Sequence, residues 1–202
     1  MRPQKPITIA ATIACAILMA TTTASATTVS CQRAIAKAGA RFVQTKVKSL
    51  SKCNGAVIKN GFGACPDEKT ATAITKASTK FSSAIAKSCG GDDKVCGGDL
   101  TNEDTPTSLG WPAFCPDFDR SAAPACTGPI NNCGDIAACV ECVGESAVDQ
   151  SVALYYTDLA LPSTSNAALN KCQTAIGKAG SAFLSSQAKA LQKCWDARLN
   201  GK

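Results

Sequence analysis

The sequence predicts an all-α fold of about four helices, arranged as disulfide-stabilised hairpins around a long loop region rich in cysteine, glycine and proline. Two observations support this prediction. A helix-like segment occurs twice, because CQRAIAKAGARFVQTKVKSLSKCN (31–54) aligns without a gap on CQTAIGKAGSAFLSSQAKALQKCW (172–195). The chain of 202 residues also contains 13 cysteines and few aromatic residues, so disulfide bonds are expected to supply stability that a thin core does not.

The first 26 residues have the pattern of a secretory signal peptide. The basic segment MRPQK precedes the apolar run ITIAATIACAILMA, and Ala24, Ser25 and Ala26 form a small-residue cleavage site. The apolar run is too short for a membrane span, so none is predicted. We therefore expect an exported protein that resides in the periplasm, at the cell surface or outside the cell.

Cleavage after the signal peptide removes Cys15 and leaves twelve cysteines, an even number. In an exported chain, such a number indicates a disulfide framework. A structural disulfide role is predicted for all of them: Cys31, Cys53, Cys65, Cys89, Cys96, Cys115, Cys126, Cys133, Cys139, Cys142, Cys172 and Cys194. Histidine is absent, which excludes Ser-His-Asp and Cys-His catalysis, histidine-ligated zinc and c-type haem attachment.

Residues 27–89 are predicted to form a basic helical hairpin with a net charge of +9. In its first helix, from about Cys31 to Lys59, the apolar side chains and both cysteines share one face, and cations form a stripe on the opposite face. The second helix is predicted from Pro66 to Cys89. A further stripe of cations follows this second helix: Lys69, Lys76, Lys80 and Lys87.

Residues 90–134 differ from the helical segments in composition. They contain two Gly-Gly pairs, five prolines and four cysteines, and they are predicted to form a loop region held together by disulfide bonds. Trp111, Phe114 and Phe118 are expected to be its apolar anchors. The middle of the chain is acidic, because residues 90–165 carry a net charge of −10.

Residues 135–202 are predicted to form a second helical hairpin, which contains the repeat of residues 31–54. Its first helix is expected to begin after Asp135, as the N-cap, and to end near Leu161. In its second helix, Asn170 and Gln173 have the spacing of a capping box.

Two arrangements of the repeat cysteines fit the sequence. If the two copies of the repeated helix pack antiparallel, Cys31 lies near Cys194 and Cys53 lies near Cys172. A local arrangement within the first hairpin instead places Cys53 near Cys65 and Cys31 near Cys89. The local arrangement is slightly preferred.

The duplicated motif CQ-x2-I-x-KAG-x2-F…KC is accompanied by three cysteine-containing stretches. These are CGGxDxxCG (89–97), GWPxxCPxF (110–118) and CxxCxxExAVDQ (139–150). In this combination the sequence resembles uncharacterised exported cysteine-rich repeat proteins of environmental bacteria. The resemblance covers nearly the entire mature chain, and it implies no activity.

The CxxC motif of Cys139 and Cys142 has two interpretations. It is either a redox-active dithiol at a helix N-terminus or a pair of cysteines that belong to separate structural bridges. We prefer the second, because no βαβ pattern surrounds the motif. Binding of zinc or an iron–sulfur cluster by Cys133, Cys139 and Cys142 is disfavoured in an oxidising compartment, so no metal and no cofactor is expected.

Two groups of carboxylates are further candidate sites. Glu141, Glu145 and Asp149 follow each other at four-residue spacing on one predicted helix, as the paired carboxylates of a glycosidase could. The acidic loop offers oxygen ligands to calcium but lacks the EF-hand spacing. A polar helix face and a solvated loop explain both groups without any chemistry. The acids of the loop are Asp92, Asp93, Asp99, Glu103 and Asp104.

The cations of the repeated helices form the preferred candidate site, a face for contact with anions. They are Arg33, Lys37, Arg41, Lys48, Lys52, Lys178, Lys189 and Lys193. Such a stripe is either a solvated surface, a contact for an anionic cell-surface polymer, or the partner of the acidic middle segment in the same or a neighbouring chain. Nucleic acid is disfavoured, because no aromatic side chains interleave the lysines.

The function expected from these features is that of an exported structural or binding protein, of scaffold or adhesion type, without catalysis. One alternative is a helical carrier of lipid or another small apolar ligand. A second alternative is a carboxylate-dependent secreted hydrolase. Self-association through the oppositely charged zones would weaken as salt is added.

Overall fold

The structure is a computed structural model that describes residues 26–61, 63–98, 102–116, 125–156 and 166–202. Residues 1–25 of the predicted signal peptide therefore lie outside the described part. Within the described part, the chain forms four helices, no β-strand and five disulfide bonds, which confirms the all-α, disulfide-stabilised fold. None of these helices has the length and apolar character needed to cross a membrane. The helices are α1 (Ala26–Asn60), α2 (Glu68–Cys89), α3 (Cys133–Tyr156) and α4 (Ala167–Leu199).

The helices α1 and α2 form the predicted hairpin. Near its middle, the rings of Phe42 and Phe81 pack with their centroids 5.7 Å apart, and both side chains are buried. Disulfide bonds close this core at both ends: Cys31–Cys89 joins the two helices, and Cys53–Cys65 joins α1 to the connection that precedes α2. The local arrangement of the first-repeat cysteines is therefore confirmed.

The start of α2 is determined by Asp67. Its carboxylate accepts a hydrogen bond from the backbone N–H of Thr70 at 2.8 Å, which makes Asp67 the N-cap and Glu68 the first helical residue. The predicted start at Pro66 is therefore two residues too early. Hydrogen bonding from Thr70 lowers the pKa of Asp67 below its ordinary value, because it stabilises the ionised carboxylate.

Three further disulfide bonds attach the loop region to the N-terminal half of α3: Cys96–Cys133, Cys115–Cys139 and Cys126–Cys142. Leu109 and Ile130 of the loop are buried in the main hydrophobic core, together with residues of α1, α2 and α3. Trp111 packs against the same core, as predicted. The predicted anchor Phe114 is exposed instead, and Phe118 lies outside the described residues.

The start of α3 lies three residues before the predicted position. Asn132, not Asp135, caps the helix, because its side-chain oxygen accepts hydrogen bonds from the N–H groups of Gly134 and Asp135. The buried carboxylate of Glu103 accepts from the N–H of Cys133 at 2.6 Å. Glu103 lies 30 residues away along the chain, so helical periodicity could not reveal this contribution.

The helix α4 packs antiparallel on α1. The Arg33 guanidinium near the start of α1 lies 3.9 Å from the carboxylate of Asp196 near the end of α4, and it donates a hydrogen bond to Asn200 at 2.8 Å. On its other side α4 contacts α3, where glycine is required. A Cβ atom at Gly180 would overlap the ring of Tyr155.

The N-terminus of α4 is capped by Asn166, whose side chain accepts a hydrogen bond from the N–H of Leu169 at 3.0 Å. The predicted capping box of Asn170 and Gln173 is wrong. Both residues lie inside the helix, and Gln173 is buried against the rest of the molecule.

The cysteines Cys172 and Cys194 are exposed and free, so the prediction of twelve disulfide-bonded cysteines is wrong for these two. The alternative pairing with Cys31 and Cys53 is also wrong, although α4 does lie antiparallel on α1. The reason is the rotation of α4 about its axis, which turns a different side toward the molecule. The buried residues on that side are Gln173, Gly177 and Ser181.

A partly buried ion-pair network joins α1 to α3. The ammonium of Lys46 lies 2.8 Å from a carboxylate oxygen of Asp149 and 3.4 Å from one of Glu145. The side chain of Lys46 is only 6% exposed, whereas those of Glu145 and Asp149 are 41% and 58% exposed. The carboxylates therefore retain much of their hydration, but the ammonium depends on them for solvation.

This asymmetry predicts unequal effects of mutation. Lys46→Met should change the free energy of unfolding by about 1 kcal/mol or less, because the two carboxylates remain hydrated. The double variant Glu145→Gln/Asp149→Asn leaves a buried cation unpaired and should lower the free energy by about 3 kcal/mol. Denaturation by guanidinium without reductant measures both. Adding Lys46→Met to the double variant should restore most of the loss, and equal losses in the two variants would contradict this account.

The two disulfide bonds of the first hairpin should differ in their contribution to stability. Cys31–Cys89 closes a loop of 58 residues and Cys53–Cys65 closes one of 12 residues. Loop-closure entropy then predicts losses of about 4 and about 3 kcal/mol when each bridge is replaced by two serines. Urea denaturation of Cys31→Ser/Cys89→Ser and Cys53→Ser/Cys65→Ser measures the order. The reverse order would mean that chain entropy does not govern these bridges.

Candidate anion-binding surface

Helix α1 lies between α2 and α4, and each of the two helix pairs leaves a groove. The apolar and cysteine positions of α1 are turned into the core, so its remaining faces carry the charged side chains to the edges of these grooves. The cations that the sequence places opposite the apolar face thus lie where neighbouring helices also present side chains.

The groove between α1 and α2 has a volume of about 780 Å³. Four of its cations come from α1 and two from α2: Arg33, Lys37, Arg41, Lys48, Lys76 and Lys80. Serine, threonine and glutamine side chains such as Ser30, Gln44 and Thr45 complete the polar part of the wall. Among the described residues, no carboxylate lines this groove.

The groove between α1 and α4 has a volume of about 1150 Å³. Its cations are Lys48, Lys52, Lys59, Lys171 and Lys178. Lys48 and Gln44 line both grooves, so the two grooves adjoin along α1. Within the described part of the chain, the wall of this second groove also lacks carboxylates. We call the ten different cations of the two grooves the basic surface.

Six of the eight predicted anion-contact residues belong to the basic surface: Arg33, Lys37, Arg41, Lys48, Lys52 and Lys178. Lys189 and Lys193 are exposed on α4 but line neither groove. Arg33 is the least available member, because Asp196 and Asn200 bind its guanidinium.

Four members of the basic surface were missing from the predicted face: Lys59, Lys76, Lys80 and Lys171. Lys76 and Lys80 belong to the stripe that the sequence shows on α2. Nothing in that stripe tells which edge of α2 meets α1, so the two stripes could not be joined. Lys171 was not included because the orientation of α4 about its axis was not predicted.

The charges of the basic surface are largely uncompensated. Apart from Arg33, its members are exposed, and in the described part of the chain no carboxylate lies within ion-pair distance of them. Lys46, which is paired with Glu145 and Asp149, faces α3 and is not part of this surface. Clustered cations of one sign raise the local potential and attract anions over about one Debye length, roughly 10 Å at moderate salt.

The other candidate sites have structural roles. The CxxC cysteines Cys139 and Cys142 belong to separate bridges, which confirms the structural interpretation of the motif. Cys133 is also disulfide-bonded, so none of the three offers a thiolate to a metal. Of the loop acids, Glu103 accepts from the first N–H of α3, and Asp104 accepts from the Thr28 hydroxyl at 3.0 Å.

Two of the three candidate carboxylates on α3 are engaged in ion pairs. Glu145 and Asp149 share the ammonium of Lys46, which connects α3 to α1. Their spacing by four residues is therefore used to hold one buried cation.

Comparison of the chain with protein-family models, with curated proteins and with solved structures finds no match.

Proposed function

We propose that the mature protein is an exported, non-catalytic binding protein of scaffold or adhesion type, and that its basic surface binds an anionic cell-surface polymer. The observation that carries this proposal is the composition of the two adjoining grooves. They gather ten cations from α1, α2 and α4, and no carboxylate among the described residues lines them.

The shape of the basic surface favours an extended ligand. Arg33 and Lys59 lie at opposite ends of α1, 26 residues apart, which corresponds to about 39 Å along a helix. A small anion would contact two or three cations, whereas a polymer with repeated carboxylate, sulfate or phosphate groups could contact most of them. Phe42 and Phe81 border the α1/α2 groove but are buried, so they offer no face on which nucleobases stack.

The ion pairs that the acidic middle segment forms within the chain also support binding of an external anion by the basic surface. Glu145 and Asp149 belong to that segment, and they pair with Lys46, which lies outside the basic surface. The acidic residues of the middle segment that the structure describes in ion pairs thus leave the groove cations unneutralised. Self-association through oppositely charged zones is the competing proposal for these cations.

One observation favours the carrier alternative. The wall of the α1/α4 groove combines the apolar side chains of Ile58, Ala175 and Ala182 with five lysines. An anionic amphiphile, with a carboxylate or phosphate at one end of an alkyl chain, matches that combination. Native mass spectrometry of protein purified from its exported fraction decides this point. A mass excess lost only on denaturation would support a carrier.

Binding of dextran sulfate, with neutral dextran as the control polymer, tests the proposed function. Lys48→Glu/Lys52→Glu introduces two negative charges where the grooves adjoin, and it should weaken binding about tenfold or more at low salt. The matched control is Lys87→Glu/Lys202→Glu, which makes the same change in net charge at exposed positions that line neither groove. Calorimetric titration at two salt concentrations measures the affinities.

Binding of the unmodified protein should weaken as salt is raised, because screening reduces the attraction of exposed charges. Equal losses in the groove variant and the control variant would mean that only net charge matters, and would contradict a binding surface at the grooves. Equal binding of neutral dextran would contradict an electrostatic role altogether.

A further inference from the structure

The outer face of α4 carries apolar side chains and both free cysteines into solvent. Ile176 is 47% exposed, Phe183 66% and Leu191 57%. Cys172 and Cys194 are exposed at the two ends of the same face. An exposed apolar face of this length, with a free thiol at each end, is unusual for a surface that only meets water.

In the first copy of the repeat, the same face is buried. The repeat-mates of these residues are nearly inaccessible to solvent: Cys31 0%, Ile35 7%, Phe42 2%, Leu50 6% and Cys53 5%. The residue types are identical at all five positions, and only the environment differs. In the first copy α2 and α3 cover the face, whereas none of the helices in the described part of the chain covers it in α4.

The contact between α1 and α2 is a template for the contact that the exposed face of α4 lacks. Two antiparallel helices meet with a phenylalanine pair in the middle, Phe42 on Phe81. On one side of that pair Cys31–Cys89 joins the two helices, and on the other side Cys53–Cys65 joins α1 to the connection that leads into α2. The face of α4 offers one half of the same arrangement, a cysteine, a phenylalanine and a cysteine in that order.

This face is complementary to itself. Phe183 lies midway between the two free cysteines, 11 residues or three helical turns from each. If two copies of α4 pack antiparallel with a twofold axis at Phe183, the two phenylalanines meet at the axis. Cys172 of each copy then faces Cys194 of the other, as an isologous interface requires.

We propose that α4 is the interface of a homodimer, in which Cys172 of each chain bonds to the partner's Cys194 and the two copies of Phe183 pack at the twofold axis. Each of the two bridges forms when two thiols lose two protons and two electrons to a disulfide oxidant, which is reduced to two thiols. The same class of oxidant forms the five bridges within the chain, so no further reagent is needed.

The positions of the free cysteines indicate that a second copy of this chain binds to the exposed face of α4. Cys172 and Cys194 are about 33 Å apart along one helix, so they cannot bond to each other within a chain. The ten other cysteines in the described part of the chain are already paired. A second copy therefore presents two free thiols, and they lie at the spacing that the antiparallel arrangement requires.

The test uses the mature chain oxidised in a glutathione redox buffer, followed by denaturing electrophoresis and intact mass without reductant. The expected product is a covalent dimer, and proteolytic fragments should join the peptide of Cys172 to that of Cys194. A monomer with two titratable thiols, or a chain linked through glutathione only, would overturn the proposal.

Single variants determine the orientation. Cys172→Ser and Cys194→Ser should each lose the covalent dimer, because the remaining cysteines of two identical chains lie far apart. An equimolar mixture of the two variants should recover a dimer with one bridge. A dimer formed by Cys172→Ser alone would indicate parallel helices and overturn the antiparallel interface, as would failure of the mixture to cross-link.

Phe183→Glu tests the apolar centre of the interface while both thiols remain. It places two like charges at the twofold axis and should reduce the yield of dimer about tenfold at equal concentration and time. Leu154→Glu is the matched control, because Leu154 is 80% exposed on α3 and lies outside the proposed interface. Circular dichroism serves to check that both variants keep their helices. Equal dimer yields for the two variants would overturn the role of Phe183.

Discussion

The pair of disulfide bonds that close the two ends of the first hairpin is the constraint on which the rest of the molecule depends. Cys31–Cys89 and Cys53–Cys65 hold the Phe42/Phe81 contact between two helices that have few large side chains. Leucine, isoleucine and valine supply only a thin core here, so chain entropy removed by the bridges carries a large share of stability. Because α1 is held in this way, its free sides can accept α3 and α4.

Local features of the sequence were sufficient to predict the first hairpin. The helical period placed Ile35, Phe42 and Leu50 with the cysteines, and a short connection made the local bridges geometrically accessible. The separate bridges of the CxxC motif also followed from local context. Helix caps supplied by distant residues could not be predicted from the sequence. An example is Glu103, whose carboxylate accepts a hydrogen bond from the first N–H of α3, 30 residues away.

The orientation of α4 shows a further limit of reasoning from the repeat. The repeat left open an antiparallel packing of its two copies with their cysteines together, but α4 turns Gly177 and Gly180 toward the tyrosines of α3, and its apolar face points outward. The two glycines leave room for the rings of Tyr155 and Tyr156. Helical periodicity alone cannot show whether α4 packs through this glycine face or through the face that carries Phe183. The sequence predicted six of the ten members of the basic surface. It missed Lys171 for the same reason, whereas Lys76 and Lys80 were missed because the stripe on α2 does not show which of its edges meets α1.

The proposed dimer and the proposed binding function have a geometric connection. Lys178, Lys189 and Lys193 lie roughly 80° to 140° around α4 from Phe183, all in the same sense. A twofold axis perpendicular to the two helices brings the same flank of each copy to one side of the dimer. The α1/α4 grooves of both copies would then open toward that side, and one long polyanion could engage both. Binding at the second groove would proceed at the high effective concentration set by the first, so a dimer with modest affinity per groove would hold a polymer tightly.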